Sequence, residues 1–389
     1  MTFFPNPPNP KTQTGDLRVA ESISGIDLPS FYGVSDLRNL STITGSASAV
    51  VEAGELKIST TASGSDAIVI DSAGKVRLNA GTQASVGMTG RRAVAPTGNQ
   101  VYRVGPFDDD NGFGIGEDAT GAFTFDRSGG VETKVYQPDW NADILDGTGP
   151  SGLIANLADG GFLTISFNCY CYGDVEYVFT FFDSVSGVNK TAVAHRLRKL
   201  GEVQTQNPNM PIRVDVDNGG TATAFELFIG ARSFRSFTPN DSPNRVVSDY
   251  RLGLTPSTAF IPTVTLRRKT AFTSVQALIE GYDIISDSDL VVQVRINGSL
   301  TGASFGTPAD ATAAETAFES DTSATAITGG LVVWEGLIQG GVKGNERGGG
   351  KQGLVDIEIP DVQNVTLCVR TTSGTATSVE TVLRVTENW

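Results

Sequence analysis

Apolar and polar residues alternate with a period of two along most of this chain, and glycine or proline interrupts the alternation roughly every ten residues. The pattern is clearest where Leu163, Ile165 and Phe167 are separated by single polar residues, and residues 175–181 repeat it after a Gly-Asp turn. Successive side chains of a strand point to opposite faces, so the alternation predicts half-buried strands. We predict that these two segments form the core hairpin of the first domain.

Residues 101–152 contain a dense series of short strands and tight turns. One turn is marked by Asn111-Gly112, the strongest short hairpin signal. Further glycines stand where turns require positive φ, a conformation that glycine adopts without strain. Later, residues 224–230 form a nearly continuous apolar run, which predicts a central strand.

The expected fold is all-β, with two antiparallel β-sandwich domains of the jelly-roll type and an extended N-terminal arm. A chain of 389 residues is too long for one ordinary domain. Four prolines within the first ten residues deny the start of the chain both a helix and a central strand. Short helices are expected around 246–252 and 311–318. The predicted parts are an attachment arm at 1–40, a first sandwich at 41–237, a connector at 238–257 and a second sandwich at 258–389.

The amino-acid composition bears more on the expected function than on the expected fold. The formal net charge is −14, and binding to nucleic acid depends on neutralising phosphates with Lys and Arg. We therefore expect no nucleic-acid partner and no attraction to anionic membranes. No apolar stretch is long enough to span a bilayer, and the first residues lack the features of a signal peptide. We expect no membrane insertion.

Candidate catalytic residues are few. His195 is the only histidine, and it lies inside a predicted strand, far from any nucleophile signature. Cys169 and Cys171 are two apart on a strand, a separation at or beyond the disulfide limit, and Cys368 is distant. We read all three cysteines as buried apolar side chains. The sequence therefore predicts a protein that is not an enzyme.

Two acidic segments have some features of calcium loops. Asp108 to Asn111 offers clustered carboxylates, but Gly112 comes one position early for an EF-hand. Residues 215–226 fit several ligand offsets, but predicted strands flank them where helices belong. The glycine-rich segments at 112–116 and 350–351 lack the spacing of nucleotide loops. We interpret all of these as turns and expect no metal and no cofactor.

Aromatic residues are the candidates for contacts with partners. An extended arm docks through its large apolar side chains, and the candidate docking residues are Phe3, Phe4, Phe31 and Tyr32. Aromatic rings on loops also stack against sugars, and the candidate glycan contacts are Tyr136, Trp140 and Trp334.

Three motifs carry a resemblance to a known family. They are GFG at 112–114 followed by FDRSGGVET at 125–133, WNADILDGTGPSG at 140–152, and PNMPIR at 208–213. Together they resemble a module in virion structural proteins of tailed phages and some large DNA viruses. The resemblance covers the block 80–235, and the run 146–152 is its most specific part. It implies a fibre, baseplate or head-decoration component and, by analogy with fibres, a homotrimer.

The expected function is that of a non-enzymatic virion structural protein. It would assemble in the host cytoplasm, self-associate, and dock on other virion proteins through the N-terminal arm. Two alternatives stay open: a glycan-binding adhesin that recognises a host-surface receptor, and a polysaccharide depolymerase. Paired carboxylates for glycan cleavage remain open because 43 acidic residues always offer pairs, although no pair is singled out by its surroundings.

Overall fold

The chain forms two compact units, Met1–Asn240 and Asp241–Trp389, in a computed structural model. The residues that the structure describes are 23–35, 37–77, 83–168, 173–183, 186–199, 205, 209–237, 244–272, 275–340, 357–360, 363–376 and 378–388. Almost all regular structure in these ranges is antiparallel β-strand, which confirms the expected fold class. Within them, no helix combines the length and apolar character that crossing a membrane requires.

The first unit contains two eight-stranded antiparallel sheets. Its strands are β1 (Ile23–Pro29), β2 (Asn39–Thr44), β3 (Ser48–Glu52), β4 (Glu55–Ser59), β5 (Ala67–Ser72), β6 (Lys75–Arg77), β7 (Gln83–Arg92), β8 (Val101–Pro106), β9 (Gly112–Asp118), β10 (Gly121–Ser128), β11 (Val131–Tyr136), β12 (Gly161–Asn168), β13 (Val175–Asp183), β14 (Val188–Leu197), β15 (Asn209–Asp217) and β16 (Glu226–Ser236). Short 3-10 turns occupy Ser30–Tyr32 and Gln137–Asp139.

Strand order defines the two sheets. Sheet A runs β14-β13-β12-β7-β16-β4-β3, with β1 also paired to β16. Sheet B runs β11-β10-β9-β8-β15-β5-β2, with β6 also paired to β15. Apolar side chains from both sheets share one buried core cluster, so the unit is a β-sandwich.

The predicted core hairpin is confirmed. Strands β12 and β13 pair directly, with Leu163 opposite Phe179 and Ile165 opposite Tyr177. All four side chains are buried in the core of the first unit. The predicted central strand is also confirmed, because β16 pairs with both β7 and β4. Local alternation identified β12 and β13, and a nearly continuous apolar run identified β16.

The predicted arm is wrong in its later part. Residues 23–29 form β1, which pairs antiparallel with β16 and places Ile26 and Leu28 in the core. A strand inside the sandwich cannot serve as a free attachment arm. Residues 1–22, including Phe3 and Phe4, lie outside the described residues.

The second unit contains a three-stranded sheet, a five-stranded sheet and a short ribbon. Its strands are β17 (Asn244–Leu254), β18 (Ile261–Arg268), β19 (Gln276–Ser286), β20 (Leu290–Ile296), β21 (Ser299–Thr301), β22 (Phe318–Asp321), β23 (Ala326–Thr328), β24 (Leu331–Ile338), β25 (Asn364–Thr371) and β26 (Val379–Asn388). A 3-10 turn occupies Thr270–Phe272. The orders are β17-β26-β19, β22-β18-β25-β20-β24 and β21-β23, and the two larger sheets share one core.

The predicted connector at 238–257 and its helix are wrong. Residues 244–254 form β17, which pairs with β26 across the three-stranded sheet. The misreading has a physical cause, because polarity does not follow burial in the second half of β17. Asp249 is buried, where it accepts a hydrogen bond from the Ser320 hydroxyl, while Tyr250 and Leu252 are exposed.

The helix predicted at 311–318 is also wrong. The amide of Ala311 donates to the carbonyl of Pro308, and that of Glu315 to Thr312, so this stretch forms separate turns. Phe318 then begins β22 and is buried. Helix propensity of Ala and Glu is a weak prior, and strand pairing outweighs it here.

Candidate ligand-binding face

Trp140 is not available for the predicted glycan contact. Its side chain is buried in the first unit, 5.3 Å from Phe179 between ring centroids. The indole N–H donates to the carbonyl of Val135 at 3.1 Å. The side chain therefore fills the core and has its one donor satisfied.

The other two predicted glycan contacts lie in different units. Tyr136 is half-buried at the end of β11, where its hydroxyl donates to Asp118 Oδ2 at 2.9 Å. Trp334 lies on β24 of the second unit, 5.1 Å from the Tyr282 ring and packed against that unit's core. The structure does not bring the three predicted residues into one site within either unit.

Phe31 and Tyr32 are both exposed, as a docking role requires. They form the 3-10 turn after β1, and their ring centroids are 4.5 Å apart. This turn contacts β3 and β4 at one end of sheet A.

The run 146–152, the most specific part of the resemblance, is a loop that packs on the carboxylate of Asp143. The carboxylate of Asp143 accepts hydrogen bonds from the amides of Leu145 and Ser151, at 2.9 and 2.7 Å. Gly149 lies so close that a Cβ there would be 2.1 Å from Asp143 Oδ1. The motif therefore encodes the shape of a loop, because its glycine and aspartate are required by packing and by backbone amides.

The side chains of His195 and Cys368 are both buried. Nδ1 of His195 accepts a hydrogen bond from the amide of Asn141 at 3.3 Å, and burial lowers the pKa of the imidazole. Burial raises the pKa of the Cys368 thiol to about 12, which favours the protonated thiol at neutral pH. Cys169 and Cys171 lie outside the described residues.

The candidate calcium segments are accounted for by local contacts. Asp108 Oδ1 accepts the amides of Asp110 and Asn111, at 2.9 and 2.7 Å, as in an Asx turn. Asp215 and Glu226 lie on separate strands and pair with Arg103 and Lys57. Across the described part of the chain, no group of three His, Cys, Asp or Glu side chains is placed to hold a metal ion.

Charged side chains concentrate on the solvent side of sheet B. Their neighbours along β8 and β15, such as Tyr102 and Val214, point into the core. Successive side chains of a strand point to opposite faces, so the residues between these core positions point outward. We call this surface the charged face, and its members are Asp71, Arg103, Arg127, Glu132, Arg213 and Asp215.

Ion pairs connect the charged face across its strands. Arg103 donates to Glu132 Oε1 at 3.1 Å and to Asp215 Oδ1 at 3.3 Å. Arg127 donates to Glu132 Oε2 at 2.8 Å and to the carbonyl of Asp108 at 2.8 Å. The network therefore links β8, β10, β11 and β15, and it holds each side chain in one position.

Arg213 extends the network toward β5. Its Nε and Nη2 donate to the two carboxylate oxygens of Asp71, at 2.7 and 2.9 Å. Its Nη1 donates to Asp109 Oδ1 at 2.5 Å, and the Asp109 side chain is 89% exposed. The third edge of the guanidinium is thus held by a surface turn.

Aromatic rings form the floor beneath these charges. A Cβ at Gly114 would lie 2.7 Å from the Phe125 ring, and one at Gly116 would lie 2.6 Å from the Phe123 ring. The two rings therefore lie directly over the glycines of β9, where a side chain would collide with them. The cations cover the rings: Arg127 lies 5.2 Å from the Phe107 centroid, and Lys134 lies 4.1 Å from that of Phe123.

The network separates the pKa values of its acids. Burial raises the pKa of Asp215 and of Asp71, and it outweighs the neighbouring arginines. Burial acts in the same direction on Glu132, but Arg103 and Arg127 together lower the pKa of that carboxyl below its ordinary value. The guanidinium of Arg103 therefore contacts two carboxyl groups, those of Asp215 and Glu132, whose pKa values are shifted in opposite directions.

The predictions from sequence missed this face. A signal was present, since Arg103, Arg213 and Asp215 occupy the polar positions between strongly apolar ones. What the sequence did not show is that β8 and β15, which are far apart along the chain, are neighbours in the sheet.

No family model matches this chain, and no curated protein sequence matches it. Neither comparison supports the resemblance to virion modules. The solved structures that resemble part of this chain include three examples. They are lectin I-B4 from Griffonia simplicifolia (10% identity, TM-score 0.33, 56% of this chain and 99% of the lectin), the carbohydrate recognition domain of Emp47p (16%, 0.32, 55% and 93%) and a carbohydrate esterase from the Shiga toxin-encoding bacteriophage phi24B (13%, 0.35, 55% and 99%). At this level the likeness concerns the β-sandwich fold alone.

Proposed function

We propose that the first unit binds glycan on the charged face. The observation that carries the proposal is the fixed array of guanidinium and carboxylate groups across the solvent side of sheet B. Sugar hydroxyls both donate and accept hydrogen bonds, so an array that holds charged donors beside charged acceptors suits them. Hydrogen bonds to charged groups are the stronger kind.

The desolvation cost of this ion-pair network supports a binding role. Ion pairs that are mostly removed from water contribute little net stability, because desolvation offsets their attraction. Side chains of Arg103, Glu132 and Asp215 are each less than a fifth exposed. A face that served stability alone would gain as much from small polar or apolar residues, so we assign the network to recognition.

Arg213 favours sugars that carry a carboxylate. Within the part of the chain that the structure describes, its Nη1 donates to the exposed Asp109, whereas the rest of the guanidinium is anchored on Asp71. A uronic acid carboxylate offers the same chemistry as Asp109 and would replace it without disturbing the anchor.

Cleavage of the glycan is the alternative at the same face. Asp215 and Glu132 have pKa values shifted in opposite directions and share Arg103, and acid-base pairs in glycosidases have such separated values. We propose binding without cleavage, because each carboxylate is tied to a cation. Incubation with a bound glycan that releases new reducing ends would support cleavage instead.

A glycan array followed by calorimetric titration of the hits tests the binding proposal. Arg127→Gln should weaken affinity at least about tenfold, because it removes a charge-assisted donor from the face. Arg91→Gln is the matched control: Arg91 also pairs with a glutamate, Glu55, and lies over a ring, Phe228, but on sheet A. Equal loss in both variants, or no hit for the wild type, would reject the proposal.

Assembly into a larger particle is the second candidate function. The exposed rings of Phe31 and Tyr32 beside β3 favour it, since large apolar side chains on a surface mark contacts with other proteins. In this role the chain would be a non-enzymatic virion component, assembled in the host cytoplasm. Immunogold labelling of purified virus particles with an antibody to this chain tests that placement, and unlabelled particles would reject it.

A further inference from the structure

Both sheets of the first unit end on the same side. Strand β2 is the last strand of sheet B and β3 is the last strand of sheet A. The turn 45–47 connects them, so the two edges lie next to each other. Over the ranges that the structure describes, each of these strands pairs on one side only, with β5 and with β4.

This double edge is firmly held. The buried carboxylate of Asp66 accepts the amide of Ser46 at 2.8 Å, inside the turn that joins the two strands. The same carboxylate accepts the amide and the hydroxyl of Thr61, at 2.8 and 2.6 Å. The edge therefore presents its free backbone groups in a fixed geometry.

The core of the sandwich is open along this edge. Ile43 lies opposite the buried Ile68 on the inward face, yet its side chain is 51% exposed. Val51 lies opposite the buried Leu56 on the inward face of the other sheet, and it is 38% exposed. Inward-facing apolar residues at this exposure indicate a surface that another protein covers.

The edge also lacks the usual protection against pairing. Exposed edge strands normally carry Lys, Pro or inward-facing charges, which block strand addition. Residues 39–51 contain no charged residue and no proline, and the one charged residue of β2 and β3 is Glu52, at the end of β3, although the whole chain has a net charge of −14. Two copies of such an acidic chain repel each other, except where an uncharged surface lets them approach.

We propose that a second copy of this chain pairs along the β2 and β3 edges. A two-fold axis perpendicular to the sheets makes each edge strand antiparallel to the same strand of the other copy. Both sheets then continue across the interface, and Ile43 and Val51 become covered. Such a self-complementary interface closes as a dimer. Phe31 and Tyr32, next to β3, lie at its rim.

This inference deepens the second candidate function, because it names the partner as another copy. Its failure is distinguishable from failure of the other proposals. Glycan titration tests binding at the charged face, and labelling of virus particles tests whether the chain is a virion component. The oligomeric state of the purified chain tests pairing along the β2 and β3 edges.

The test is mass photometry and sedimentation velocity on the full-length chain. The wild type should be a dimer at micromolar concentration. Val50→Glu should raise the dissociation constant at least about tenfold, since the two-fold axis brings two glutamates together. Within one copy the new glutamate would lie opposite Lys57, which suits the folded monomer. Thr42→Lys, at an exposed position of β2, should act in the same direction.

Val94→Glu is the matched control, because Val94 is similarly exposed but lies outside the edge. It should leave the dimer intact. Circular dichroism checks that each variant is folded, and Thr42→Lys decides the outcome if Val50→Glu unfolds. A wild type that stays monomeric would overturn the proposal. So would a dimer that survives both edge substitutions.

Discussion

The guanidinium of Arg213 holds the carboxylate of Asp71 in a bidentate pair that joins β15 to β5. Nε lies 2.7 Å from Oδ1, and Nη2 lies 2.9 Å from Oδ2. Both residues point away from the core, on the charged face of sheet B. The pair anchors one end of that face, while the third edge of the guanidinium donates to the exposed Asp109.

Arg213→Gln should lower the free energy of unfolding by about 2 kcal/mol, because it leaves the mostly shielded carboxylate of Asp71 without its paired cation. Urea denaturation followed by circular dichroism measures this. The control is Arg91→Gln, whose pair with Glu55 is more exposed and should cost less than about 1 kcal/mol. A larger loss for Arg91→Gln would contradict the ranking.

Asp109→Asn should leave stability nearly unchanged, since the Asp109 side chain is 89% exposed. It should raise affinity for glucuronic acid about fivefold, because the variant removes a competing carboxylate from Arg213 Nη1. Calorimetric titration with glucuronic acid and with glucose separates the effects. Equal changes for both sugars would show that Arg213 does not select the carboxylate.

Glu132→Gln should make the free energy of unfolding less dependent on pH in the acidic range. Arg103 and Arg127 lower the folded-state pKa of Glu132 below its ordinary value of 4.5. A group with a lowered pKa stabilises the fold above its unfolded value, and that stability is lost as pH falls through the folded value. The unfolding free energy of the wild type should therefore fall more steeply than that of Glu132→Gln between pH about 5 and about 3. Parallel curves from denaturant titrations would refute this.

Gly116→Ala should destabilise the first unit by about 1–3 kcal/mol through overpacking. The added Cβ would lie 2.4 Å from the carbonyl oxygen of Tyr102 and 2.6 Å from the Phe123 ring. Gly306→Ala is the control, because a Cβ there meets nothing within 4 Å. Thermal unfolding measures both, and a neutral Gly116→Ala would mean that the ring moves aside at no cost.

The local alternation of apolar and polar residues was sufficient to predict the strands that bury one whole face. Leu163 and Tyr177 could be assigned to the core from alternation, since the polarity of a residue and of its near neighbours decides burial there. The same reasoning failed for β17, where Asp249 points inward and Tyr250 outward. A buried aspartate is stable only because Ser320, remote in sequence, supplies its hydrogen bond.

Local sequence is enough to show that this chain is built from alternating strands and tight turns, because period-two polarity and glycine act over a few residues. Which charges meet and which aromatic rings are buried depends instead on how distant strands pair and pack. Arg103 and Asp215 become partners because β8 pairs with β15, and Trp140 is buried because it packs on β13. Those contacts depend on strand order, which no local pattern encodes.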